Sequence, residues 1–267
     1  MKRTTVDRTV SLEGVAVFSG EKTTVSVAPG KEGIHFQTPE GRVRLGEGWV
    51  SAPRCSAIPL GSSQLLLTEH FLGAAVLWGL TDGEITLSGG EFPLLDGGGR
   101  MWFDLFEAGG RRTLDGDVST LSPTKPLVAG KGASLVAWFP GQGLEATVLY
   151  HHPDPLLPLR MDHFDLSKTP HKSLLLDGRT FLLEEEAVAL VESGVLPPQA
   201  REAEGSAIVV GKTAFDPIEL TSHKALDLLG DLYLSGMMPR GKCLSVRGGH
   251  TLNRELLSAA MPLTTPE

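Results

Sequence analysis

The chain contains one phrase twice: a histidine opening an apolar helix, a glycine break, a short strand and a Gly-Gly pair. The first copy runs from His70 through Gly79 and Leu87 to Gly89-Gly90, the second from His223 through Gly236 and Val246 to Gly248-Gly249. A repeat of this kind predicts an α+β fold of two related domains, each a sheet-and-helix layer. Packed face to face, the two layers would bring their histidine-bearing helix starts to one active site between them. A length of 267 residues suits two such units, each burying a core.

Local patterns fill in this frame. Residues 1–60 are rich in Val, Thr and Gly, with alternating stretches such as Thr23-Thr24-Val25-Ser26-Val27 that read as antiparallel strands. From Thr68, which could N-cap it, to Gly79, which could end it, runs a nearly all-apolar helix suited to burial on every side. A strand at Glu84–Leu87 and a turn at Pro93–Gly99 follow. The stretch from Gly109 to Pro126 has few apolar residues and reads as a linker, dividing the chain into 1–121 and 122–267. Beyond it strands are expected at Ala133–Phe139 and Leu144–Tyr150, a helix at Glu184–Glu192 and a last helix at His223–Leu234.

Composition excludes several classes. A net charge of −8 speaks against a general nucleic-acid binder. Charges in the first eight residues and the lack of a long apolar run predict a cytoplasmic protein with no integral membrane segment, and we expect a monomer. With only two cysteines, Cys55 and Cys243, any metal must be held by His, Asp or Glu.

Residues four apart on a helix stand one above the other, so His223 and Asp227 can offer a nitrogen and an oxygen to one ion. His70 could complete a three-ligand zinc site with a position open for water, and Glu69 beside it could take a proton from that water. The same spacing also fits a solvated helix face carrying a Lys224-Asp227 pair, and His250 alone fits a turn. His35, His151, His152, His163 and His171 fall in strand or loop contexts without a helical partner.

Taken together, Thr68-Glu69-His70, Pro93 to Gly97, Arg179-Thr180-Phe181, His223 to Leu232 and Gly249 to Asn253 resemble, in order and spacing, the UDP-3-O-acyl-N-acetylglucosamine deacetylase family, zinc enzymes of lipid A synthesis. Gly14 to Gly20 is similar to that family's opening glycine motif. The resemblance implies one zinc per chain on His70, His223 and Asp227, with iron compatible. It implies Glu69 as general base, His250 as the protonated partner of the leaving amine, Thr180 as a donor to the tetrahedral intermediate and Asp231 as the group orienting His250. Lys224 and Phe181 would contact a nucleotide-sugar or glycolipid substrate. It further implies an inserted unit near 180–212, in which Leu182, Leu183, Ala187, Val188, Leu190, Val191, Val195 and Leu196 would line an acyl passage. A helix packed on its own sheet accounts for that pattern equally well.

Departures from the family pattern are Phe18 for a histidine, Ser222 for an arginine and Gly205 near the place of an acidic residue. They leave open a paralogue acting on a different N-acetylhexosamine conjugate. A binding protein that has kept the fold without turnover is the rival from another class, and the full set of candidate residues argues against it.

Overall fold

Burial along Lys22–Ala28 alternates, with Thr23, Val25 and Val27 inside, as on a sheet covered on one face. The computed structural model describes residues 1–197 and 207–261. The first half comprises β1 (Lys2–Val6), β2 (Val10–Val15), β3 (Lys22–Ala28), β4 (Ile34–Thr38) and β5 (Gly41–Arg44), followed by a small three-stranded sheet, β6 (Val50–Ala52), β7 (Cys55–Leu60) and β8 (Ser63–Leu66). It continues with α1 (Glu69–Trp78), β9 (Gly83–Leu87), α2 (Arg100–Gly109) and β10 (Arg111–Asp117). After β11 (Thr120–Leu121) come β12 (Leu127–Lys131), β13 (Ser134–Phe139), β14 (Leu144–Tyr150) and β15 (Arg160–Asp165). Next are α3 (Thr169–Asp177), β16 (Phe181–Leu183), α4 (Glu184–Glu192), β17 (Ile208–Val210) and α5 (Ile218–Tyr233). The chain closes with β18 (Met238–Pro239), β19 (Gly241–Val246) and α6 (His250–Ala260).

The two main sheets have the same connectivity, β2-β3-β9-β4-β5 and β12-β13-β19-β14-β15. In each, the strand latest in sequence lies at the centre, antiparallel to one neighbour and parallel to the other. Each half therefore runs as four strands, an insertion, a helix, the central strand and a second helix. The α+β architecture of two related halves is thus present in the backbone. The insertions differ: β6–β8 in the first half, and a unit built on α3 and the parallel pair β16 and β17 flanking α4 in the second.

Several elements depart from the sequence reading. Helix α1 ends at Gly79 with φ 86, the left-handed conformation glycine accommodates. The Thr68 hydroxyl donates to Ser56 O (3.2 Å) instead of capping the helix. Helix α5 begins at Ile218, so His223 lies in its second turn. Helices α2, α3 and α6 add to the expected set, and His171 sits on α3. The charged stretch after Gly109 forms β10, paired with β1. A two-stranded ribbon this exposed can form with few apolar residues because its ladder is made by the backbone.

One apolar core runs through both halves and includes residues of α1, α2, α5 and α6. Every residue of α1 is buried, since it lies between its own sheet, where Phe71 meets Phe36 of β4 edge-on at 6.1 Å, and α5 of the other half. The crossing is close. A Cβ at Gly73 would stand 2.8 Å from Leu226 O, and one at Gly230 would overlap Glu69 O. Gly230→Ala is therefore expected to destabilise the fold by about 1–3 kcal/mol despite alanine's better helix propensity. Urea unfolding beside Gly143→Ala, a position with open space around it, checks this; equal midpoints would show that the helices do not approach so closely.

Candidate active site

Helix α5 is apolar over most of its surface because both halves bury it, yet one line of it carries His223, Asp227 and Asp231, one helical turn apart and all buried. The α1 crossing sets Glu69 and His70 against that line. His70 Nε2 lies 3.1 Å from His223 Nε2 and 3.4 Å from Asp227 Oδ1, and His223 Nε2 lies 3.6 Å from the same oxygen. Asp227 Oδ1 is buried and, among the described residues, accepts no hydrogen bond. Two ring nitrogens and an unsatisfied carboxylate oxygen at these separations fit a bound cation: ligands about 2.0–2.1 Å from a tetrahedral zinc stand roughly 3.3 Å apart. These three residues form the metal-capable group among the described residues.

Protonation suits ligation. Burial drives His223 well below the ordinary imidazole range, leaving it neutral with a lone pair to offer. Burial pushes the Asp227 carboxyl up, but its neighbours His223, Lys224, His70 and His250 hold it well below the usual range. The Lys224 ammonium donates to Asp227 Oδ2 at 3.0 Å.

Glu69 and His250 face each other beside this group, His250 Nε2 standing 3.7 Å from Glu69 Oε1. Burial raises the Glu69 carboxyl above its ordinary range against the pull of His250 and His70. His250 is the first residue of α6, and its Nδ1 meets Asp231 Oδ2 at 2.9 Å. Burial works against its charge, but Asp231, then Asp227 and Glu69, outweigh it and raise its pKa to about 9. At neutral pH His250 is therefore an imidazolium whose Nε2–H points toward the site.

Thr180 reaches the same point from the loop before β16. Its hydroxyl donates to Gly97 O (3.1 Å) and stands 3.2 Å from His223 Nε2. Its backbone N–H donates to the same Gly97 carbonyl (2.6 Å), so the turn after Pro93 positions it. The Phe181 ring packs edge-on against His223 at 5.5 Å, with Lys224 Nζ 5.6 Å from its centre. Glu69, His70, Thr180, Phe181, His223, Lys224, Asp227 and His250 all border one cavity of about 890 Å³, and Asp231 lies just behind His250.

Leu182, Ala187, Val188, Leu190, Val191, Val195 and Leu196 line the same cavity. Leu183 turns away into a small separate cluster with Leu157, Ile208, Val210 and Leu220. Phe18 is on the cavity wall, its backbone N–H donating to the buried Glu91 carboxylate (2.8 Å). Ser222 is fully buried against Gly178, its hydroxyl without a partner among the described residues, and does not border the cavity. Gly205 lies outside the described residues.

Ser56 is a member of the site that spacing does not reveal. From β7 its backbone N–H donates to Glu69 Oε2 (3.0 Å), and its hydroxyl donates to Asp231 Oδ1 and lies 3.3 Å from His250 Nδ1. Asn253 joins it, donating to Asp231 Oδ2 (2.7 Å). One residue thus fastens both the carboxylate beside His70 and the carboxylate behind His250. Nothing in its neighbourhood in sequence marks Ser56, because its partner Asp231 is 175 residues away.

Comparisons with known proteins place the chain in a family. The family model described as UDP-3-O-acyl N-acetylglycosamine deacetylase matches residues 3–261. A UDP-3-O-acyl-N-acetylglucosamine deacetylase of Helicobacter pylori (strain J99 / ATCC 700824) is 27% identical, over 98% of this chain and 92% of its own length. Proteins of the same name from Leptospira biflexa serovar Patoc (strain Patoc 1 / Ames) and Legionella pneumophila (strain Corby) are each 26% identical over 98% of this chain, covering 91% and 90% of their own lengths. With nearly its whole length matched, the chain belongs to the UDP-3-O-acyl N-acetylglycosamine deacetylase family, a family of metal-dependent N-deacetylases.

Proposed function

We propose that this protein removes the N-acetyl group of UDP-3-O-acyl-N-acetylglucosamine in lipid A biosynthesis, as a zinc-dependent amidohydrolase. The observation that carries this reading is the meeting of His70, His223 and Asp227 with Glu69 on one side and the cationic His250 beside it, in one cavity whose far wall is apolar. A zinc ion on the three ligands would supply Lewis-acid polarisation of the amide carbonyl and a water acidified toward neutrality; iron suits the same donors. Glu69 takes a proton from the attacking water, and its desolvated carboxyl is a stronger base than an exposed one. The Thr180 hydroxyl turns from Gly97 O to donate to the developing oxyanion. His250, held by Asp231, stabilises that charge and then protonates the leaving amine, while Lys224 and Phe181 contact the sugar moiety.

The apolar side chains of α4 and its flanks take the 3-O-acyl chain. Ala187, Val188, Leu190 and Val191 are half-buried and border the cavity, which supports this reading. Residues 1–121 and 122–267 act as the two units that bring α1 and α5 together, and the protein works as a cytoplasmic monomer. No described helix is long and apolar enough to cross a membrane. Acetate release from UDP-3-O-acyl-N-acetylglucosamine by the zinc-loaded protein tests the reading, which absence of release would overturn.

A second reading, the same chemistry on another N-acetylhexosamine conjugate, is favoured by Phe18, which gives the cavity a ring where the family has a histidine. A site built to hydrogen-bond its ligand loses affinity when that partner is missing. Comparing kcat/KM on the UDP substrate with that on simpler N-acetylated sugars separates the two; an efficient value on the UDP substrate rules out the second.

A further inference from the structure

Among the described residues four cations border the active-site cavity, and three of them are paired. Lys212 meets Glu184 at 2.6 Å, Lys224 meets Asp227 at 3.0 Å and His250 meets Asp231 at 2.9 Å. The fourth, Arg54, is exposed, and among the described residues its guanidinium makes no hydrogen bond or ion pair.

Its backbone adds a second observation. Pro53 and Arg54 are the two-residue turn between Ala52 and Cys55, which pair across the β6–β7 hairpin. Proline sets the first turn residue near the φ of about −65° that its ring imposes, and Arg54 follows at φ 61. That second place ordinarily belongs to glycine or asparagine, since a β-carbon is strained there. The next residues, Cys55 and Ser56, are fixed by the buried Arg254, whose Nη1 lies 3.3 Å from Cys55 O and 3.5 Å from Ser56 Oγ. The turn is thus a stiff mount that carries an arginine where glycine would be less strained, and it presents an unneutralised fork of donors to the substrate cavity.

We propose that Arg54 is a specificity-determining residue that binds the diphosphate of the substrate. The inference rests on the nucleotide-sugar reading above and deepens it. Within that reading the acetyl group lies at the metal ligands and the acyl chain along α4, and among the described residues bordering the cavity Arg54 is the cation not already paired that remains for the anionic portion. A planar guanidinium matches phosphate oxygens two at a time, so recognition should depend on the fork as well as on the charge.

Calorimetric titration of the zinc-loaded protein with UDP and with uridine tests this in wild type, Arg54→Gly and Arg54→Lys. Arg54→Gly should melt no lower than wild type, because glycine relieves the left-handed position. It should bind UDP at least tenfold more weakly, with uridine affinity unchanged and Arg54→Lys intermediate. UDP binding to Arg54→Gly within twofold of wild type, or parallel loss of UDP and uridine affinity, overturns the assignment, as does failure of the wild type to bind UDP. The outcome is separable from the proposed function: acetate release with UDP affinity unaffected by Arg54→Gly defeats only this inference. A selective loss of UDP affinity in a protein that releases no acetate defeats only the deacetylase reading.

Discussion

Removing the metal with a chelator is expected to abolish hydrolysis while leaving the fold in place. Zinc contributes several kcal/mol of transition-state stabilisation, so a loss of roughly a thousandfold or more follows from about 4 kcal/mol. The fold should survive because one apolar core joins both halves through α1 and α5 without any help from the ligands. The melting temperature should fall, since a ligand that binds only the native state stabilises it, but far-ultraviolet circular dichroism at 25 °C should not change. Asp227→Ala should act in the same way on activity and also lose stoichiometric metal, as measured by elemental analysis. It removes the carboxylate oxygen that faces both imidazoles, and leaves the Lys224 ammonium without its partner. A purified protein that contains no stoichiometric metal and takes up none on incubation would overturn the ligand assignment of His70, His223 and Asp227.

Glu69→Ala and His250→Ala should each lower kcat by on the order of a hundredfold or more, the usual contribution of general acid–base groups, with metal content near one per chain. The pH profile assigns the two roles. Glu69 must be ionised to accept a proton, so activity rises as pH climbs through its carboxyl pKa, which burial raises. His250 must be protonated to donate, so activity falls as pH climbs through its pKa of about 9. A bound dication draws both limbs to lower pH by disfavouring nearby protons. Residual activity in His250→Ala should lack the alkaline limb, and that in Glu69→Ala the acid limb. Near-normal kcat in His250→Ala would remove it from the reaction, and retention of the alkaline limb would assign that limb to another group.

How much of this was legible beforehand differs between local and distant features. The boundaries of α1 and α4 and of β14 follow from periodicity, the Gly79 stop and apolar content, because these are set by neighbours in the chain. The amphipathic α6 escaped the same reading: its stripe of Leu252, Leu256 and Leu257 is short, and a turn at His250 fits the preceding Gly-Gly pair as well. Gly109 to Pro126 reads as a linker because its scarcity of apolar residues is what a solvated ribbon and a loop have in common.

The site shows the same division. That His223, Asp227 and Asp231 share one line of a helix is determined by the sequence, since 3.6 residues per turn place them there wherever the helix lies. Whether that line is a solvated face or a ligand set is not, because an isolated helix with a polar stripe looks the same in both cases. Tertiary structure excludes the solvated face: Gly73 and Gly230 let α1 approach α5 closely enough for His70, 153 residues from His223, to meet it at 3.1 Å in a buried place. The motifs therefore name the catalytic candidates, while the joining of Glu69 to Asp231 through Ser56 and the place of Arg54 on the same cavity exist only once the two halves close. Chain neighbours fix helical spacing and turns; burial, pairing of charges and the approach of two helices depend on residues far apart in sequence, and only the packed structure brings those together.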